Sequence, residues 1–203
     1  MLLKRGAEAE LRRTEFLGRP AVEKVRVPKG YRRASLDDDL RRVRIRMEAR
    51  LIAEARAAGV AVPILYDVDL AGHRIVMEFI DGPTAKEVLE GGGSRAHEVA
   101  RELGRIVGRL HRAGIIHGDL TTSNMIVRDA RIVFIDFSLG AKEDGLEARG
   151  VDLHLLREAL TSAHARATAY YRDVLAGYRE TLGPAARDVI AKVKEIESRG
   201  RYT

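Results

Sequence analysis

Four stretches of the chain carry side chains that could do chemistry, and their order along the sequence says which chemistry. Lys24 sits in the run AVEKV, read as a strand. A strand lysine turned into a cleft sets a cation against nucleotide phosphates, although a strand lysine on its own is most often a solvated surface residue. Glu48 follows on a helical stretch, one turn before Ile52 and two before Ala55. A carboxylate in that position faces the protein body and needs a cationic partner, for which Lys24 is the candidate. The third stretch is His117-Gly118-Asp119-Leu120-Thr121-Thr122-Ser123-Asn124. Phosphoryl transfer needs a carboxylate to orient the attacking hydroxyl and an oxygen ligand for magnesium, and Asp119 with Asn124 supplies both from one turn. The fourth is Asp136 in FIDFS, after an apolar run, where a carboxylate can hold a metal against the β- and γ-phosphates. Singly, each aspartate reads as readily as a turn residue or helix cap; the ordered set of lysine, helix glutamate, D-x4-N and strand-D-F carries the inference. Asn124 is also the one asparagine in a chain that has no glutamine.

These residues require elements that bring them to one cleft. The opening quarter reads as short strands, LLKR, RTEFL and PAVEKVRV, separated by turns. A helix is predicted over 38–58, with Asp37, Asp38 and Asp39 at its positive end and Gly59 as its stop. Leu40, Val43, Met47, Leu51, Ile52 and Ala55 recur at helical spacing and predict its buried stripe. Strands ILYDVDL and HRIVMEFI follow, then a break at IDGPT. Beyond it come a helix from about Arg95 to Ala113, a loop over 115–124, the strands MIV and RIVFID, a segment over 131–140 carrying Asp136, and helical patterns from about Leu146 that break near Gly183-Pro184. Gly91-Gly92-Gly93 reads as a loop, not a phosphate cradle, because no helix-opening lysine follows it. The expectation is an α+β fold of two lobes, 1–80 with the long helix and 84–203 mainly helical, joined by a connector at 81–83. A cleft between lobes is the natural place for a ligand.

The constellation resembles the protein-kinase-like superfamily. The H-G-D-L form resembles the RIO kinases, the aminoglycoside phosphotransferases and the small kinase subunit of the KEOPS complex. The segments MEARLIAEARAAGVAVPILYDVD, IVMEFIDG, HGDLTTSNMIV, IDFSLG and the basic tail ESRGRYT are similar to that KEOPS kinase over nearly the whole chain. The resemblance implies an atypical serine/threonine kinase or ATPase that uses ATP and Mg2+. It implies partners in a Kae/TsaD-type metal-dependent tRNA-modifying protein, the other KEOPS subunits and tRNA, in the making of threonylcarbamoyladenosine. Carried over by position, it implies Lys24 on the α- and β-phosphates paired with Glu48, Asp119 as catalytic base, and Asn124 and Asp136 as magnesium ligands. It also implies adenine contacts from the Glu78 carbonyl and the Ile80 amide, behind Met77, with Ile126 below the ring. His117 resembles the histidine that braces the catalytic loop, and Asp152 the helix aspartate that anchors its backbone, a helix N-cap being the alternative for Asp152.

Departures from the pattern are visible. Gly6-Ala7-Glu8-Ala9-Glu10 stands where a glycine-rich loop is expected, so Gly6 alone can approach phosphate freely. Glycine at 118 replaces the arginine that grips a phosphorylated activation loop in regulated kinases. Little chain separates Asp136 from the next helix, which leaves a small platform for a peptide substrate.

Composition bounds the rest. There is no cysteine, hence no disulfide framework or thiolate metal site, and no apolar run long enough for a membrane span, so a cytoplasmic protein without membrane contact is expected. The net charge of +6 fits an anionic partner without choosing one. Between Arg26 and Arg50 lie Arg26, Lys29, Arg32, Arg33, Arg41, Arg42, Arg44, Arg46 and Arg50. This run is either a solvated helix face paired with Asp37 to Asp39 or, with Arg199 and Arg201 of the tail, a surface that contacts RNA phosphates. Two other functions fit the fold: a phosphotransferase for small molecules of the aminoglycoside or choline type, for which the C-terminal part is short, and a non-catalytic scaffold, against which the full set of catalytic residue types argues.

Overall fold

A computed structural model describes residues 1–6, 8–129 and 131–200. Five antiparallel strands make the N-terminal sheet: β1 (Leu2–Arg5), β2 (Ala9–Phe16), β3 (Arg19–Arg26), β4 (Leu65–Asp69) and β5 (Arg74–Glu78), in the order β1-β2-β3-β5-β4. Leu17 and Gly18 join β2 to β3 with φ of 49° and 76°, a two-residue turn whose twist matches that of the flanking strands. β3 alternates, so Val22, Lys24 and Arg26 share one face.

Helix α1 (Ala34–Ala57) packs on that face. It begins four residues before the predicted start. Asp37 does not sit beyond its end but inside its first turn, buried, accepting hydrogen bonds from the Arg41 side chain at 2.8 Å and the Lys29 amide at 3.3 Å. The predicted apolar stripe is also corrected. Val43 and Met47 are each 46% exposed, and the buried line runs through Ile45, Glu48, Leu51, Ile52 and Ala55. Glu48 pairs with cations on β3, Ile45 joins the sheet's small apolar cluster with Ile75 and Met77, and Leu51, Ile52 and Ala55 enter the main core; this inward face leaves Val43 and Met47 outward.

The rest of the chain is mainly helical. Helix α2 (Ala85–Gly91), which the sequence reading did not foresee, opens with a capping box in which the Thr84 hydroxyl and the Glu87 carboxylate satisfy each other's backbone amides. Gly92 alone separates it from α3 (Gly93–Arg112), so the three glycines form a helix junction and not a loop. Then follow β6 (Ile115–Ile116), a 3-10 turn at Thr122–Asn124, the hairpin of β7 (Met125–Arg128) and β8 (Arg131–Phe134), and β9 (Ala141–Lys142), which pairs with β6. Helices α4 (Leu146–Ala163), α5 (Ala167–Leu182) and α6 (Ala186–Gly200) complete the fold. One continuous core joins α2 to α6 with the C-terminal half of α1. No helix among the described residues is long and apolar enough to cross a membrane.

Two features of this helical part position the loop that carries Asp119. The first is a buried polar chain. Asp152 lies well inside α4, fully buried, and is not an N-cap. Its carboxylate accepts the backbone N–H groups of His117 at 2.9 Å and Gly118 at 2.8 Å, and meets His111 Nε2 at 3.1 Å. His111 Nδ1 in turn lies 2.8 Å from the Tyr178 hydroxyl on α5. The His117 ring donates from Nε2 to the Ile135 carbonyl at 3.1 Å and accepts the Asp119 amide at Nδ1 at 3.3 Å, the pattern of a neutral imidazole. Burial lowers the His117 pKa from its usual value, outweighing the carboxylates of Asp152, Asp136 and Asp119, which raise it. The second feature is Gly118, with φ of 79°, where an added Cβ would stand 2.1 Å from the Leu139 carbonyl oxygen. Any side chain at 118 is therefore excluded while the segment after Asp136 packs on the loop.

Helices α3 and α5 approach closely enough that a Cβ on Gly104 would meet the Val174 carbonyl oxygen at 1.9 Å, and one on Gly177 the Arg101 oxygen at 1.9 Å. Gly104→Ala is expected to lower stability by about 3 kcal/mol in denaturant unfolding, despite a gain of ~1 kcal/mol in helix propensity. Gly91→Ala, which meets no atom within 4 Å, should leave stability unchanged or slightly raised. The buried histidines set a second expectation. The unfolded chain protonates His117 and His164 near pH 6.5, whereas burial lowers both pKa values in the folded protein. The unfolded state then binds more protons, so stability should fall as pH drops below about 6.5 and level off below the folded pKa values. Thermal melts from pH 8 to pH 5 check this, and His164→Leu should shallow the slope.

Candidate active site

Between the sheet and the β7–β8 hairpin lies a cleft of about 250 Å³. Val22 and Met77 stand on the sheet side, Ile126 and Ile135 on the other, and Leu3, Leu11 and Pro63 add apolar wall. Lys24, Ser123, Asn124 and Asp136 supply its polar lining. The cleft has the composition of a site for a flat apolar-faced ligand with a charged end.

The charged end is fixed by an ion cluster. Lys24 Nζ lies 2.6 Å from Glu48 Oε1 and 2.7 Å from Asp136 Oδ1. The expected contact between Lys24 and Glu48 is thus present, and it has a third and a fourth member. Arg26 Nη2 lies 2.7 Å from Glu48 Oε2, and Arg26 is 3% exposed. Arg26 is therefore not part of the exposed basic surface in which its sequence position placed it. The signal that could have found it is the strand period of two, which puts Arg26 on the same face as Lys24.

Asp136 takes φ of 62°, the left-handed region that aspartate tolerates better than most residues. Its Oδ1 accepts the Ser138 hydroxyl at 2.6 Å and the Ser138 amide at 3.3 Å. Burial raises its pKa, but the Lys24 charge and hydrogen bond, with the Ser138 donors, outweigh it and bring the value to about 2. The group is thus an anion at any working pH. Asn124 Nδ2 donates to Asp119 Oδ2 at 2.8 Å and to the Asp119 carbonyl at 3.1 Å. That leaves the Asn124 amide oxygen for the cleft and fixes the Asp119 carboxylate beside it.

The remaining predicted residues divide. Met77, Glu78, Ile80 and Ile126 line the cleft. The Glu78 side chain turns away to Arg128 at 2.7 Å and accepts the Ile64 amide at 3.2 Å, joining the sheet to the β7–β8 hairpin. The Ile80 amide has no acceptor among the described residues. Gly6 lies in the β1–β2 turn, donating to the Ala9 carbonyl at 2.9 Å, and does not line the cleft; Leu3 and Lys4 do. Of the arginines, Arg41 pairs with Asp37 and Arg42 with Asp38, both at 2.8 Å, and Arg44 pairs with Glu8. Arg46 is exposed and has no ion-pair partner among the described residues. Arg199 pairs with Glu147 at 3.1 Å and with Glu195, while Arg201 lies outside the described residues. Arg41 and Arg42 thus make the pairs with Asp37 and Asp38 that the helix-face reading expects, while Arg44 reaches Glu8 and Arg46 stays unpaired among the described residues.

The RIO domain matches residues 12–150. The KEOPS complex subunit Bud32 of Pyrococcus abyssi is 44% identical, over 99% of this chain and 96% of that one. The probable bifunctional tRNA threonylcarbamoyladenosine biosynthesis protein of Methanobrevibacter smithii is 42% identical over 100% of this chain, but the chain spans only 37% of that protein's length. Among solved structures, the Rio2 kinase–ADP/Mg2+–phosphoaspartate complex of Chaetomium thermophilum superposes with a TM-score of 0.68 over 98% of this chain and 70% of that one, at 17% identity, a likeness of fold. With a RIO-domain match over more than half its length and 44% identity across nearly the whole of an archaeal Bud32, the chain belongs to the RIO-domain family, in the branch that holds the KEOPS subunit Bud32.

Proposed function

We propose that the chain binds Mg-ATP in this cleft and transfers or hydrolyses its terminal phosphate, as the kinase/ATPase subunit of a KEOPS-type assembly that makes threonylcarbamoyladenosine in tRNA. The observation that carries the reading is the convergence of Lys24, Asp136 and Asn124 at one end of an otherwise apolar cleft, with Asp119 bonded to Asn124. The cleft suits the nucleotide. Its apolar walls fit a purine, and the Ile80 amide, which has no acceptor among the described residues, and the Glu78 carbonyl are the groups we assign to the base edge. Among the described residues no three carboxylate or imidazole groups gather as a closed metal site. The Asn124 oxygen and the Asp136 carboxylate offer a part of a shell, which suits Mg2+, an ion that keeps waters and takes phosphate oxygens. Magnesium held there would neutralise charge on the phosphates as the terminal group leaves.

The protein's own part is positioning. Lys24 draws the phosphates toward β3. Asp119, held by Asn124 Nδ2, accepts the proton of an attacking hydroxyl or orients a water. Neutral His117 and Asp152 hold the loop beneath it. The connector at 81–83 acts as the hinge between lobes 1–80 and 84–203. The segment after Asp136 reaches α4 by way of the two-residue strand β9, paired to β6, so little chain is left to build a platform for a peptide. This supports ATP hydrolysis, or transfer to a narrow set of acceptors, over broad protein phosphorylation. The partners are other KEOPS subunits, a Kae/TsaD-type protein among them, with tRNA, in the cytoplasm.

Asp119→Ala is expected to keep nucleotide binding and lose turnover by about 100-fold or more. Asp136→Ala should also weaken Mg2+-dependent nucleotide binding. Release of phosphate, read beside nucleotide binding with and without Mg2+, separates the two, and wild-type turnover by Asp119→Ala would remove the base assignment. For tRNA, replacing Arg41, Arg42, Arg44 and Arg46 together should weaken binding across sequences and reduce its dependence on salt. An unchanged slope in anisotropy titrations would leave that surface as a helix face only.

A further inference from the structure

Strand β1 forms one edge of the N-terminal sheet, and its register with β2 slips near the middle. Leu2 stands opposite Arg12 and Lys4 opposite Leu11, so β1 carries one extra residue at Leu3. Such a β-bulge breaks the alternation of side chains and re-aims one of them. Leu3 and Lys4 both line the cleft, whereas regular alternation sends successive side chains to opposite faces of a sheet. Beyond the bulge, Lys4 pairs with Leu11 and Leu11 with Lys24, one row across β1, β2 and β3. Residues directly opposite in antiparallel strands share a face, and all three of these line the cleft. Lys4 and Lys24 are therefore two strand spacings apart, about 10 Å between backbones, on the same side of the sheet.

Nothing in the hairpin neutralises Lys4. Glu10 is held by Arg5 at 3.2 Å and by Arg12 at 2.8 Å, and Glu8 pairs with Arg44. Lys4 is exposed, and its side chain has no hydrogen-bond or ion-pair partner among the described residues. A lysine on an edge strand has an ordinary explanation, because charge there discourages pairing with another chain. That explanation does not call for a bulge that turns the lysine over an apolar cleft, beside Leu11. Gly6 lies outside the cleft, so this end of the roof presents an unpaired ammonium to a ligand.

We infer that Lys4 binds the phosphates of the nucleotide from the sheet side, as a second cation in line with Lys24. The inference rests on the nucleotide reading of the cleft and adds a phosphate contact from β1. Lys24 is tied to Glu48 and Asp136 and has a fixed place. Lys4 is tied to nothing, so its three donors can follow the phosphate chain wherever it lies.

The test uses the full chain as wild type, Lys4→Gln, Lys4→Arg and Arg19→Met, with the dissociation constants of ATP, ADP and adenosine measured in the presence of Mg2+. Arg19 is an exposed cation of the same sheet that does not line the cleft, so its loss reports the effect of net charge alone. Lys4→Gln stays polar and adds no apolar surface to the edge strand. It should weaken ATP by about fivefold or more, the worth of a charge-assisted hydrogen bond to phosphate. It should leave adenosine within about twofold of wild type, because that ligand carries no charge for the lysine to meet. Lys4→Arg and Arg19→Met should both keep ATP affinity within about twofold. Unchanged ATP affinity in Lys4→Gln overturns the inference and leaves an edge-strand lysine. An equal loss for adenosine, or a loss as large in Lys4→Arg, overturns it in favour of the shape of the roof. A loss as large in Arg19→Met overturns it in favour of the field of the whole chain. All three leave the nucleotide site standing, whereas failure of the wild type to bind ATP removes the nucleotide reading and the role of Lys4 with it.

Discussion

A glutamate removed from water on a helix that packs against a thin sheet is the constraint from which much of this structure follows. Glu48 requires cations, and Lys24 and Arg26 on β3 are the ones within reach. Their pairing acts together with Leu51, Ile52 and Ala55, which seat in the main core, to set the rotation of α1. The rotation sends Val43 and Met47 outward and Ile45 inward. It also sets the position of Lys24, and through Lys24 that of Asp136 at the start of the segment after β8. One buried charge thus joins the N-terminal sheet, the long helix and the polar end of the cleft.

The helical part solves a different problem, that of holding a loop with little regular structure. β6 and β9 are two residues each, so the backbone between them finds its partners elsewhere. Asp152 supplies two acceptors to consecutive amides, and His111 and Tyr178 extend the chain of polar groups into α5. A buried polar network of this kind stabilises only when each member is satisfied, and the close approach of α3 and α5 at Gly104 and Gly177 brings Tyr178 within range of His111.

The strands of the N-terminal sheet, the β7–β8 hairpin, most of the helices and the polar residues at one end of the cleft were legible in the amino-acid sequence, for physical reasons; the two-residue strands β6 and β9 were not. Strand alternation and turn residues mark the sheet, and the D-x4-N and strand-D-F patterns pair residue types with a rigid spacing. Three things were hidden. The burial of Arg26 was masked by eight other cations in the same run. The buried line of α1 was drawn through Val43 and Met47 because apolar residues lie on more than one side of the helix, and their spacing alone does not say that Ile45 is the one that joins Glu48 inside. The short helix α2 was missed because Gly91, Gly92 and Gly93 suggest a loop, whereas its start is fixed by the side chains of Thr84 and Glu87. Gly6 lies in the β1–β2 turn and is not among the residues that line the cleft, whereas Leu3 and Lys4 of the same hairpin are.

The bare backbone at Gly118 has an evolutionary consequence. A cation at that position could serve as a docking point for a phosphate attached further along the chain, and so let a modifying enzyme switch the protein on. Here the neighbouring carbonyl of Leu139 fills the volume that such a side chain would need. Acquiring that form of control therefore takes concerted change in two segments, a new residue at 118 and a new path for the backbone at 138–140. A substitution at 118 alone meets the Leu139 carbonyl before that path has changed. A lineage fixed in this geometry gains control more readily from surfaces supplied by neighbours in an assembly than from covalent marks on its own chain.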